Sequence, residues 1–151
     1  MHRATMSARA CVAVLALTGF ATPRAAHQIT AGDLVIMHPY TFEPENEKVK
    51  DVEVYMTIRN TSARPDRIVA VSSPIATSAN LQQRPPGGAV AAPVAAFVIT
   101  PMQEVTLGPR GTHVHIGGLK VPLDGYAMFP LLLTFERAGQ IEVEVMVEER
   151  N

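Results

Sequence analysis

The sequence predicts an all-β domain, a sandwich or small Greek-key barrel built from many short strands. Three observations carry that expectation. Past residue 26, apolar and polar residues alternate with a period of two in segment after segment, and helical periodicity is almost absent. These segments are rich in β-branched residues and are divided by clusters of Pro, Gly, Ser and Asn. The chain has 151 residues, enough for one domain with a substantial core and short for two.

The opening residues have another character. Arg3 and Arg9 precede an apolar run from Ala10 to Ala21, which has the length of a signal-peptide core and is too short to span a bilayer. The expectation is a signal peptide over residues 1–26, cut after Ala21 or after Ala26, and one domain over residues 27–151, exported to the periplasm without stable membrane insertion. A cut after Ala26 makes His27 the amino terminus. Cys11 is the only cysteine and stands at the start of the apolar run, not after it, so neither a lipid acceptor nor a disulfide is expected. An ordinary hydrophobic core must then hold the domain together. Without residues 1–26 the chain carries 10 basic and 14 acidic side chains, a net charge near −4. That balance disfavours nucleic acid and anionic membrane surfaces as partners.

Taken in order, the first strand spans Leu34 to His38 and stops at Pro39. Tyr40 to Lys50 holds Glu43, Pro44, Glu45 and Glu47 and reads as a solvated loop without the ligand spacing of a calcium loop. Val52 to Asn60 and Asp66 to Ser72 alternate cleanly, and Ala79 to Gln83 follows. Arg84 to Pro93 is rich in Pro, Gly and Ala, as expected of a long connection. Strands are then expected at Val94 to Ile99, Glu104 to Leu107, Thr112 to Ile116, Met128 to Glu136 and Gln140 to Val147. In the last, Ile141, Val143, Val145 and Val147 share one face and glutamates the other, as for a strand covering a core on one side. Arg137 to Gln140 supplies the hairpin loop and its glycine. Met128 and Met146 read as core residues.

Chemistry concentrates at Thr112-His113-Val114-His115-Ile116. Residues two apart in a strand project from one face, so His113 and His115 could share a metal ion. Equally, they could be polar residues on an exposed strand face. Two imidazoles alone rarely make a tight site. His27 is a candidate third ligand, its α-amine and imidazole chelating copper with His113 or His115 completing a T-shaped site. Met102, beside Pro101 in a turn, is a candidate soft ligand. His38, before Pro39, reads as structural. Neither a nucleophile motif nor a phosphate loop is present, and the expectation is a protein that is not an enzyme.

In this order and spacing the segments resemble the PCu(A)C-type periplasmic copper chaperones. The resemblance runs through Ala31-Gly32-Asp33-Leu34-Val35-Ile36-Met37-His38-Pro39-Tyr40, Val54-Tyr55-Met56-Thr57-Ile58-Arg59-Asn60 and Asp66-Arg67-Ile68-Val69. It continues in Pro109-Arg110-Gly111-Thr112-His113, Gly118-Leu119-Lys120-Val121-Pro122-Leu123 and Leu131-Leu132-Leu133-Thr134-Phe135. It implies a cupredoxin-like β-barrel and a monomer that carries copper by ligand exchange, for homeostasis or for delivery to an oxidase subunit or another copper carrier. The family's ligands are a His, a later Met, and then a His-x-Met pair. Here the first position falls on Gln82 and the Met falls near Ala91; His113 keeps its place, and His115 stands where the last Met is expected. A site of imidazoles without thioethers favours Cu(II), or Zn(II), over Cu(I). The same departures leave open a member that has lost its metal and serves as a protein-binding or structural module.

Overall fold

The computed structural model describes residues 27–88 and 90–150; the expected signal peptide and both cleavage points lie outside them. Eleven strands follow in chain order: β1 (Gln28–Ala31), β2 (Leu34–Phe42), β3 (Val52–Asn60), β4 (Asp66–Ser72), β5 (Ala76–Gln83), β6 (Ala92–Pro93), β7 (Phe97–Ile99), β8 (Glu104–Leu107), β9 (Thr112–Leu119), β10 (Met128–Phe135) and β11 (Gly139–Glu148). Among the described residues there is no helix.

The strands form one curled sheet in the order β6-β5-β9-β3-β2-β11-β10-β4-β7, with β1 added to β2 and β8 to β3. Every pairing is antiparallel except β11 against β2, where Met146 to Glu148 run alongside Tyr40 to Phe42. Alternation decides which face is inside. Ile141, Val143, Val145 and Val147 of β11, Leu131, Leu133 and Phe135 of β10, and Val52, Val54, Met56 and Ile58 of β3 are all buried in one core. Glu142 and Glu144 face out. Each fully buried aliphatic side chain contributes roughly 1.5–3 kcal/mol of transfer free energy, so the period-two pattern is also the main source of stability.

Three expectations need correction. The strand from Leu34 does not end at His38, and Tyr40, Thr41 and Phe42 are not solvated loop. Pro39 lacks an N–H and His38 takes a left-handed φ of 49°, which makes a bulge between Met37 and Tyr40; past it the strand resumes against Tyr55 and Met146. Val94 to Ile99 is not one strand. Only Phe97 to Ile99 pairs with β4, whereas Ala92 and Pro93 form the edge strand β6 against Gln82 and Gln83, a position where proline's missing donor costs nothing. Finally, Met128 and Met146 are cross-strand partners on the outer face, with Met128 44% exposed, while Met56 is the methionine in the core.

Candidate metal centre

β9 lies between β5 and β3, and its register assembles the site. Asn80, His115 and Glu53 form one cross-strand row, and Gln82 stands opposite His113 in the next row on that face. The intervening Val114, paired with Leu81 and Val54, points into the core. His113 and His115 therefore share the face directed away from the core, as their spacing predicts.

The two histidines differ sharply in surroundings. His113 is 0% exposed, covered by the edge of the Tyr55 ring at 6.4 Å between centroids and flanked by Glu53. Its Nδ1 lies 3.1 Å from the Gly111 carbonyl. A carbonyl only accepts, so Nδ1 carries a proton in this contact, and in the neutral ring the Nε2 lone pair is free. That Nε2 is buried without a hydrogen-bond partner; its neighbour is Glu53 Oε1 at 3.6 Å, beyond hydrogen-bonding distance. His115 is about a quarter exposed, with Nε2 3.8 Å from Asp51 Oδ2. It lines an open cleft of about 440 Å³ with Thr41, Phe42, Asp51, Glu53 and Tyr55 among the other walls.

Around the pair runs a charged network absent from the sequence-level expectation. Arg84 Nη2 donates to Glu53 Oε1 at 2.6 Å, and Tyr55 Oη donates to Glu53 Oε2 at 2.7 Å. Arg84 Nη1 also donates to the Pro109 carbonyl, and its backbone N–H to the Gly111 carbonyl at 3.0 Å. Burial pushes the Glu53 carboxyl up, but hydrogen bonds from Tyr55 and Arg84 and the charges of His113 and Arg84 outweigh it and leave the pKa lowered. Burial and the neighbouring Glu53 push the Tyr55 phenol up, so it stays a donor.

The other candidates lie elsewhere. The His27 carbonyl accepts the His38 N–H at 2.8 Å, which places His27 beside β2; β2 and β3 separate it from β9. His38 Nε2 meets Glu148 Oε1 at 3.0 Å. Met102 is 69% exposed in the turn between β7 and β8, where its N–H bonds the Ser62 carbonyl at 3.0 Å. That turn is beyond the Asn60 end of β3, whereas His113 is level with Tyr55, some 16 Å back along the strand. None of the three is brought to the β9 pair. As placed, no group of three or more His, Cys, Asp or Glu among the described residues forms a ready cage for a metal ion.

Glu53, Tyr55, Arg84 and Asp51 were not singled out from the sequence. A signal for two of them was available: in Val52-Glu53-Val54-Tyr55, core valines alternate with a Glu and a Tyr that must share the opposite face. What the sequence lacks is the knowledge that β3 adjoins β9.

A family model described as lipoprotein LpqE-like matches residues 34–147. No protein of curated function matches the chain in sequence. Among solved structures, the apo PCuAC domain from PmoF1 is 27% identical, with a TM-score of 0.73 over 82% of this chain and 100% of that one. The copper-bound PCuAC domain from PmoF2 is also 27% identical, with a TM-score of 0.71 over 82% of this chain and 99% of that one. The Cu(I) form of DR1885 from Deinococcus radiodurans, at 23% identity and a TM-score of 0.60 over 83% of each chain, shares the fold.

Proposed function

The chain belongs to the LpqE-like family, and we propose that it is an exported, non-catalytic copper carrier that holds its cargo through His113 and His115. The observation that carries this reading is the buried Nε2 of His113, which has no protein partner. A buried polar atom left unpaired costs about 1–3 kcal/mol, and a metal ion is a partner that would offset that cost. The likeness to a copper-bound PCuAC domain supports copper as the ion, and a ligand set of imidazoles favours Cu(II).

The two environments suggest how cargo is handed on. His115 opens onto the cleft, so an incoming ligand of the recipient, an oxidase subunit or another copper carrier, displaces it first. His113, anchored at Nδ1 by the Gly111 carbonyl, releases last. Equilibrium competition against a chromophoric chelator tests the assignment. His113→Ala is expected to weaken Cu(II) binding at least tenfold, about 1.4 kcal/mol, and an unchanged affinity overturns it.

One observation favours a second site. His27 lies opposite His38 across the β1–β2 pair, so cleavage after Ala26 would put a free amine and two imidazoles at one sheet edge, three nitrogens suited to Cu(II). Mass spectrometry of the exported protein decides it: any amino terminus other than His27 removes this site.

A further inference from the structure

We propose that Glu53 is a third ligand of the β9 metal site, held in reserve by Arg84, whose guanidinium occupies the carboxylate until a divalent ion replaces it. This rests on the reading of His113 and His115 as metal ligands and adds to it the oxygen donor and the gate.

The geometry at His113 is the first ground. Its Nε2 and Glu53 Oε1 are 3.6 Å apart, too far for a hydrogen bond. Two donors each about 2.0–2.1 Å from one ion are separated by about 2.9–3.6 Å for bond angles between right and trigonal. The spacing therefore fits a shared ion. With Nδ1 donating to Gly111, the neutral imidazole turns a lone pair toward a carboxylate oxygen across this gap, two electron-rich atoms between which a shared cation is favourable.

The second ground is the cation that is already there. Arg84 Nη2 lies 2.6 Å from that same Oε1, the oxygen that faces the histidine. Glu53 Oε2 is separately fixed by Tyr55 Oη at 2.7 Å, so departure of the guanidinium leaves the carboxylate in place with Oε1 free. Arg84 has somewhere to go, because its side chain is 28% exposed and its Nη1 is already bonded to the Pro109 carbonyl at the surface.

Two consequences follow. A carboxylate oxygen is a hard donor, which favours divalent copper or zinc over Cu(I), so Glu53 and not a thioether sets the preference of the site. A metal ion bound there competes with a tethered guanidinium, and the return of Arg84 to Glu53 removes one ligand as the recipient takes another. Release is thereby eased without a change in fold.

Chelator competition with Cu(II), Zn(II) and Cu(I), on the wild-type protein and two variants, tests the proposal. Glu53→Gln is expected to weaken Cu(II) binding by roughly tenfold or more and Cu(I) binding by less than about threefold. Arg84→Leu, which removes the competing cation without adding a donor, is expected to tighten Cu(II) binding by about threefold or more. Carbon-13 NMR of the wild-type protein needs no variant: saturation with Zn(II) is expected to shift the Glu53 carboxyl resonance. An unmoved Glu53 carboxyl, or weaker Cu(II) binding by Arg84→Leu, overturns the proposal. If His113→Ala abolishes binding while Glu53→Gln does not, only the third ligand is lost; if the wild-type protein retains neither copper nor zinc, the underlying metal reading falls with it.

Discussion

At the scale of single residues, two buried polar groups show what a satisfied and an unsatisfied side chain look like in one fold. Asp66 is 5% exposed, yet its carboxylate accepts the backbone N–H groups of Arg67 at 2.8 Å, Arg137 at 2.9 Å and Ala138 at 3.0 Å. It closes the β10–β11 hairpin loop and has both carboxylate oxygens engaged in structure. His113, more deeply buried, uses one nitrogen on Gly111 and leaves the other with nothing. Groups left so are the ones to which a ligand can contribute most. The metal-free fold should therefore gain little from this imidazole. His113→Leu, which removes the orphan nitrogen along with one hydrogen bond to a carbonyl, is expected to leave the stability of the metal-free protein within about 1 kcal/mol of wild type, or to raise it. Copper binding should be lost in the same variant. Urea unfolding beside a copper titration reads both, and a loss above about 3 kcal/mol would mean that His113 is a packing residue first.

At the scale of elements, β9 shows how the backbone positions the pair. Gly117 and Gly118 follow His115, and neither position has room for a methyl group. A Cβ on Gly117 would come within 2.7 Å of Ser78 Oγ and 3.2 Å of His115 Cε1; one on Gly118 would meet Thr77 Oγ1 at 2.0 Å, with φ at +68°. The N–H of Gly118 donates to Asp51 Oδ1 at 3.1 Å, which steadies the carboxylate facing His115. Gly118→Ala combines left-handed strain with that collision, and an expected destabilisation of about 2–3 kcal/mol can be read from its urea midpoint. A change below about 0.5 kcal/mol would show that the β5–β9 contact yields easily. Most strands were legible in the sequence because each period-two run carries its own evidence: Val52–Asn60, Asp66–Ser72 and Glu104–Leu107 have the predicted bounds. The misses occur where geometry overrides pattern. Pro39 reads as a terminator but marks a bulge, and Pro93 reads as loop but occupies an edge. The face shared by His113 and His115 was legible for the same local reason. Their partners were not, since the register that brings Glu53 beside β9 and Arg84 to Glu53 is a property of the assembled sheet.

At the scale of the whole molecule, the site lies where β3 changes partners: its first half pairs with β9 and its second with β8. Charges gathered at that seam couple the fold to pH. The lowered pKa of Glu53 means that its carboxylate binds a proton less readily in the folded chain than in the unfolded one. Its stabilisation is therefore complete above the ordinary carboxylate range, near 4.3, and is lost as pH falls through the lower folded value. The fold holds other carboxylate ion pairs as well, among them Glu136 with Arg67 in a two-pronged contact. A comparison of two proteins that differ only at Glu53 cancels their contribution. The metal-free wild type is expected to be more stable than Glu53→Gln at neutral pH, by an amount that stays constant down to about pH 5 and shrinks steadily below about pH 4. Urea unfolding of both proteins from pH 7 to pH 3 measures the difference directly. A gap that persists unchanged at pH 3 would mean that Glu53 acts through its shape and hydrogen bonds alone. In that event the charge that Arg84 and a metal ion are proposed to share would contribute nothing to holding the seam.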